Sequence, residues 1–106
     1  MPNGFSQVLA SIEPCAGPGF AVTVPPDWLQ GRTVFGGMQM ALGGRAMRAL
    51  LPLLAAAMPL RSAQMTFVGP LLGGAPIRMK AATLRVGKST VHARCDLMHD
   101  DGKVAC

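Results

Sequence analysis

Tyrosine is absent from the 106 residues, and one tryptophan and four phenylalanines make up the whole aromatic content. Proteins that hold single-stranded nucleic acid stack bases on aromatic side chains, so this scarcity argues against a nucleic-acid partner. No uncharged apolar run approaches the roughly 18 residues of a membrane span, and Arg45 and Arg48 interrupt the best stretch. Met1-Pro2-Asn3-Gly4-Phe5 lacks the basic start and unbroken apolar core of a secretory signal, which points to the cytoplasm. Cys15, Cys95 and Cys106 are odd in number and far apart, a pattern of free thiols, not of a disulfide framework or a zinc knuckle. His92 and His99 stand at no ligand spacing from a cysteine or an acid cluster, so no metal site is expected. Acids are scarce too: five Asp and Glu face ten Lys and Arg, and the net charge of +5 favours anionic partners.

Half the residues are hydrophobic, enough for one packed core. Residues 1–18, with Gly4, Pro14, Gly17 and Pro18, read as a lead-in with a short helical turn around Ser6 to Ile12, and residues 19–106 as one domain. Phe20, Val22 and Val24 alternate with Ala21 and Thr23 in a strand stopped by Pro25-Pro26. After a loop through Trp28, a helix starts at Phe35-Gly36-Gly37. From Met38 to Leu51 it has no acid and no proline, and Met40, Gly44, Met47 and Leu51 share one face. A helix apolar around most of its circumference is expected at the centre, wrapped by other structure. Pro52 ends it or starts a further irregular turn reaching Met58.

The second half reads as strands. In Leu60 to Val68, Ala63, Met65 and Phe67 alternate with polar residues. In Pro76 to Val86, Ile77, Met79 and Ala81 share a face, while Leu84 and Val86 have the opposite parity, which a bulge near Ala82 reconciles. Gly87-Lys88 turns into Ser89 to Met98, with Val91, Ala93, Cys95 and Leu97 inward. Asp101-Gly102 signals a type I′ turn into Lys103 to Cys106. A return of four residues cannot pair the whole of Ser89 to Met98, so the chain is expected to be the N-terminal part of a longer protein. Its open edge is expected to dimerise, aggregate or borrow a strand.

The order strand, glycine pair, apolar helix, antiparallel strands is that of an α+β hotdog fold, a sheet wrapped around one long helix, here with its final strand truncated. Val34-Phe35-Gly36-Gly37, Leu60 to Phe67 ending in Gly69-Pro70, Leu84-Arg85-Val86-Gly87-Lys88-Ser89 and Asp101-Gly102-Lys103-Val104-Ala105 resemble the acyl-CoA thioesterase II (TesB-like) family from about Gly19 onward. They match the first of its two hotdog repeats. The resemblance implies hydrolysis of fatty acyl-CoA to free acid and CoA without a metal or other cofactor. It implies that the main catalytic side chains lie in a second repeat, or that the domain works in a homo-oligomer. The family's strand after the helix usually carries a histidine and an Arg-Pro ending, where this chain has Ser62 and Gly69-Pro70.

Thioester hydrolysis needs a positioned water and donors for the developing oxyanion, and backbone amides at a helix N-terminus supply such donors. Gly36 and Gly37 fall at that end, where they serve either as oxyanion donors or simply as turn residues. Gln39, in the first turn, orients the water or carbonyl through its amide, or else faces solvent or caps the helix. Arg85, Lys88 and Ser89 flank the hairpin turn and are candidates for the phosphates of CoA, against the plain reading of solvated strand-end charges. Asp27 is the best-placed acid, with loop capping as its alternative. The helix offers no carboxylate base, which keeps open a second class of function: a non-catalytic hotdog half that binds acyl-CoA or packs against a sister repeat.

Overall fold

In the computed structural model, which describes residues 4–14, 19–50 and 58–106, the chain runs α1 (Phe5–Ala10), β1 (Glu13–Pro14), β2 (Phe20–Val22), a 3₁₀ turn (Pro26–Trp28), β3 (Leu29–Gln30), β4 (Thr33–Val34), α2 (Gly36–Arg48), β5 (Ile77–Val86) and β6 (Val91–Met98). Antiparallel pairing orders one sheet β1-β2-β5-β6, and β3 pairs with β4 in a small ribbon. The expected hotdog arrangement is present: α2 packs across β5 and β6, on the face that their period-two pattern makes apolar. Ile77, Met79 and Leu97 are buried on that face, while Arg78, Lys80, His92 and Arg94 point outward. Val8 of α1 is buried in the same core, and Glu13 and Pro14 pair with Ala21 and Phe20, so the lead-in packs onto the domain.

The buried face of α2 is not the expected one. Met38, Gln39, Leu42, Gly43 and Ala46 face the sheet, whereas Met40 is 39% exposed, Gly44 and Met47 are half-buried, and Leu51 lies outside the described residues. On a helix apolar all round, hydrophobicity cannot choose a face. Size does: Gly43 and Ala46 let the helix axis approach β6, where a Cβ on Gly43 would already touch Leu97 and Cys95 at 3.9 and 4.0 Å. The stretch expected to continue the helix toward Met58 falls largely on residues 51–57, outside the described residues.

Three further expectations need correction. Residues 60–68 form no strand, and Leu60, Phe67 and Val68 are 71%, 61% and 67% exposed. Alternation makes a strand only where an edge offers a ladder, and here the facing edge offers one carbonyl: Val68 and Gly69 both donate to Ala105 O, at 2.7 and 3.0 Å. The expected bulge is present, at Leu84 between the Thr83–Ala93 and Arg85–His92 pairs, but it does not bring the two halves of the strand to one buried face. It brings Val86 opposite Val91, yet Leu84 and Val86 stay 66% and 52% exposed. The turn after β6 is not type I′, because that type needs a positive φ at both central residues and only Gly102, at φ 78°, has one. Gly102 N donates to His99 O at 3.0 Å and Asp101 Oδ1 accepts from Lys103 N at 2.9 Å, closing a three-residue loop whose left-handed position glycine fills. Val104 then bridges Met98, and Ala105 is buried.

Candidate active site

The lead into α2 is clamped by backbone bonds on both sides. Val34 N donates to Leu71 O at 2.7 Å and Phe35 N to Trp28 O at 3.0 Å. Phe35 is the N-cap residue, but its side chain accepts nothing; its carbonyl accepts from Met38 N and Gln39 N at 3.0 and 3.1 Å. The amides of Gly36 and Gly37 have no acceptor among the described residues. They are the positive end of a helix of 13 residues, whose aligned dipoles act as roughly half a positive charge.

Gln39 lies in the first turn of α2, on its buried side. Its Nε2 donates to Val34 O at 2.8 Å, and the residue is 2% exposed. Because the Val34 carbonyl can only accept, the amide nitrogen must face it, which turns Oε1 away. Oε1 is buried and has no donor among the described residues. An unpaired buried acceptor costs about 1–3 kcal/mol, so its retention calls for a reason. Only an amide both donates to Val34 and offers an acceptor; a glutamate would set a carboxylate against the Val34 carbonyl.

Aromatic rings wall the glycines. A Cβ on Gly36 would sit 3.2 Å from Phe67 Cζ, and one on Gly37 would sit 2.7 Å from Phe35 Cε1. Both positions therefore have a packing reason to be glycine, independent of chemistry. The rings are 43% (Phe35) and 61% (Phe67) exposed, leaving apolar surface beside the two amides. The partner of Gln39 and the ring over Gly36 were not among the expected site features. A main-chain carbonyl leaves no sequence signal, and Phe67 read as one more inward residue of a strand.

Arg85, Lys88 and Ser89 lie together and exposed around the β5–β6 connection, which Gly87 N closes onto Thr90 O at 2.8 Å. Met79 pairs with Leu97, which packs beneath Gly43, and Val86 stands seven residues further along β5, roughly 23 Å at ~3.3 Å per residue. Gly36, Gly37 and Gln39 thus form one group and the hairpin cations another. The acids are dispersed. Asp96 meets Arg94 at 3.1 Å, Asp100 meets Arg78 at 2.7 Å, Asp101 holds its turn, and Asp27 is exposed in the 3₁₀ turn. Burial, then the neighbouring Asp96 charge and Cys106, pushes the Cys95 thiol up to about 12; burial and Asp96 push Cys106 to about 11, which disqualifies both as nucleophiles near neutral pH. Cys15 lies outside the described residues. Among the described residues no His, Cys, Asp and Glu cluster suits a metal ion, and no helix is long and apolar enough to cross a membrane.

Residues 24–106 match the acyl-CoA thioesterase N-terminal domain family. The chain belongs to this family. Among solved structures, this thioesterase-family domain is similar to the PaaI protein of the E. coli phenylacetic acid degradation operon, with a TM-score of 0.81 and 18% identity over 95% of this chain and 80% of that one. It is similar to zebra fish thioesterase superfamily member 2, with a TM-score of 0.69 and 25% identity over 98% of this chain and 81% of that one. A Thermobifida fusca YX protein described as a thioesterase II by inference aligns with a TM-score of 0.70 and 18% identity, and there the domain covers 95% of itself but 35% of the other chain. No curated protein matches the sequence significantly. Thioesterase-superfamily hotdog domains are therefore its structural kin.

Proposed function

We propose that this domain is the first hotdog repeat of a TesB-like acyl-CoA thioesterase, hydrolysing fatty acyl-CoA to free acid and CoA. The observation that carries the reading is the buried amide of Gln39, whose Oε1 has no donor among the described residues, beside a helix start whose Gly36 and Gly37 amides have no acceptor among them. In this reading a water oxygen bonds to the thioester carbonyl carbon while the carbonyl oxygen gains negative charge against the two glycine amides and the helix dipole. Gln39 Oε1 accepts a hydrogen bond from that water and aims it. The C–S bond then breaks, the acid leaves, and the CoA sulfur takes up a proton. Arg85, Lys88 and Ser89 bind phosphate oxygens of CoA. The proton acceptor is a side chain of a second repeat or of another copy, since α2 carries no acid. The setting is cytoplasmic.

That same lack of an acid favours the alternative of a non-catalytic half that binds acyl-CoA or packs against a sister repeat. The two separate in one assay: the intact protein is mixed with acyl-CoA of several chain lengths and a thiol-trapping dye. Release of CoA thiol supports the hydrolase, saturable binding without release supports the alternative, and no release at any length removes the first reading.

A further inference from the structure

We infer that His99 is a positioning residue that holds the lead into α2, and through it the amide of Gln39. The inference rests on the reading that Gln39 serves the reaction. His99 is half-buried at the end of β6, and both ring nitrogens are used: Nδ1 lies 2.9 Å from Pro76 O, and Nε2 accepts from Leu72 N at 2.8 Å. A carbonyl can only accept and an amide can only donate, so one species satisfies both partners, the neutral imidazole with its proton on Nδ1.

The amide that His99 holds belongs to the same planar peptide unit as the Leu71 carbonyl, which accepts from Val34 N at 2.7 Å. The Val34 carbonyl in turn accepts from Gln39 Nε2 at 2.8 Å. The linkage therefore runs from an imidazole through one rigid peptide and one residue of β4 to the amide in the site. Other bonds fasten the same loop: Thr33 bridges Leu72, Gly73 N donates to Arg32 O, and Gly74 N donates to Val24 O. Of these, only the His99 bond comes from a side chain. A proton on Nε2 sets two N–H groups against each other and releases one face of the Leu71–Leu72 peptide.

The test uses hydrogen exchange by mass spectrometry on the whole chain at pH 7.5, together with the kinetics of CoA release. Loss of one such bond predicts about tenfold less protection of the Leu72 amide in His99→Ala. His99→Gln keeps an acceptor near the Nε2 position, so it is expected to stay protected and to recover the kcat that His99→Ala loses, with KM unchanged in both. Full protection of the Leu72 amide in His99→Ala, or a kcat in His99→Gln as low as in His99→Ala, overturns the inference. If no form of the protein releases CoA, the hydrolase reading fails on its own, and the exchange data still decide whether His99 holds the loop.

Discussion

Replacing Gln39 by methionine separates the two reasons a polar side chain can sit at the start of α2. Methionine has nearly the same length and volume, so the change is chiefly the loss of one amide. Removing Nε2 leaves the Val34 carbonyl without that donor, a cost of about 1–3 kcal/mol. Removing Oε1 abolishes an acceptor that is already buried and unpaired, a gain of similar size, about 1–3 kcal/mol. The net change in stability is therefore expected to lie within about 1 kcal/mol of zero. Turnover has no such compensation: loss of a group that aims water in the site predicts a fall in kcat of about 10²-fold. Urea titration gives the first quantity from the midpoint at constant slope, and CoA-thiol release by the intact protein gives the second. A loss of more than ~3 kcal/mol would mean that the amide is a structural strut. Unchanged kcat would refute its part in the reaction.

Gln39→Glu is expected to be destabilised at pH 7 and partly restored at pH 5, because only the protonated carboxyl can donate to Val34; the denaturation midpoint at the two pH values measures it. Arg85→Ala with Lys88→Ala is expected to raise KM for acyl-CoA severalfold with kcat unchanged, since both lie on the hairpin tip away from Gly36, whereas an equal KM would leave the tip without a role in binding CoA phosphates. Leu42, fully buried between α2 and the sheet, is expected to cost about 2–5 kcal/mol when cut to alanine, read as a shift in the same urea midpoint. Cys95, with its thiol near 12, should be about one part in 10⁴ thiolate at pH 8 and alkylate far more slowly than a free thiol. Above pH 9 the unfolded thiol ionises before the folded one, so stability is expected to decline from pH 9 toward 12, and replacing Cys95 by alanine should flatten that decline.

Much of the architecture was legible because it follows from local rules. The alternation in Ile77 to Ala81 and Val91 to Leu97, the glycine pair before a mostly apolar, acid-free run, and the breakers at Pro25-Pro26 and Gly87 each leave a mark in the chain itself. What failed depended on partners. The face of α2 was set by how closely Gly43 and Ala46 approach β6, and the alternating Leu60 to Val68 finds, among the described residues, a main-chain partner only in Ala105. At the site, Gly36, Gly37 and Gln39 stood out by position and residue type, and they do sit together. For Gln39 the sequence leaves open a role in the site, a solvent-facing side chain and a cap; it is buried, with its amide on a main-chain carbonyl that no side-chain pattern announces. His99 drew attention only as a metal ligand without companions; its two main-chain partners lie 27 and 23 positions away in the chain.

The exposed stretch that ends in Phe67 also sets how much room lies beside the first glycine of α2. Among the described residues its backbone is held to the sheet by two bonds to one carbonyl, those of Val68 and Gly69. Two such bonds are worth about 1–3 kcal/mol net, so a detached form amounts to between roughly 0.5% and 20% of molecules at equilibrium. A substrate that needs the space beside Gly36 therefore meets a population already open, and the share of time spent open scales its apparent affinity directly.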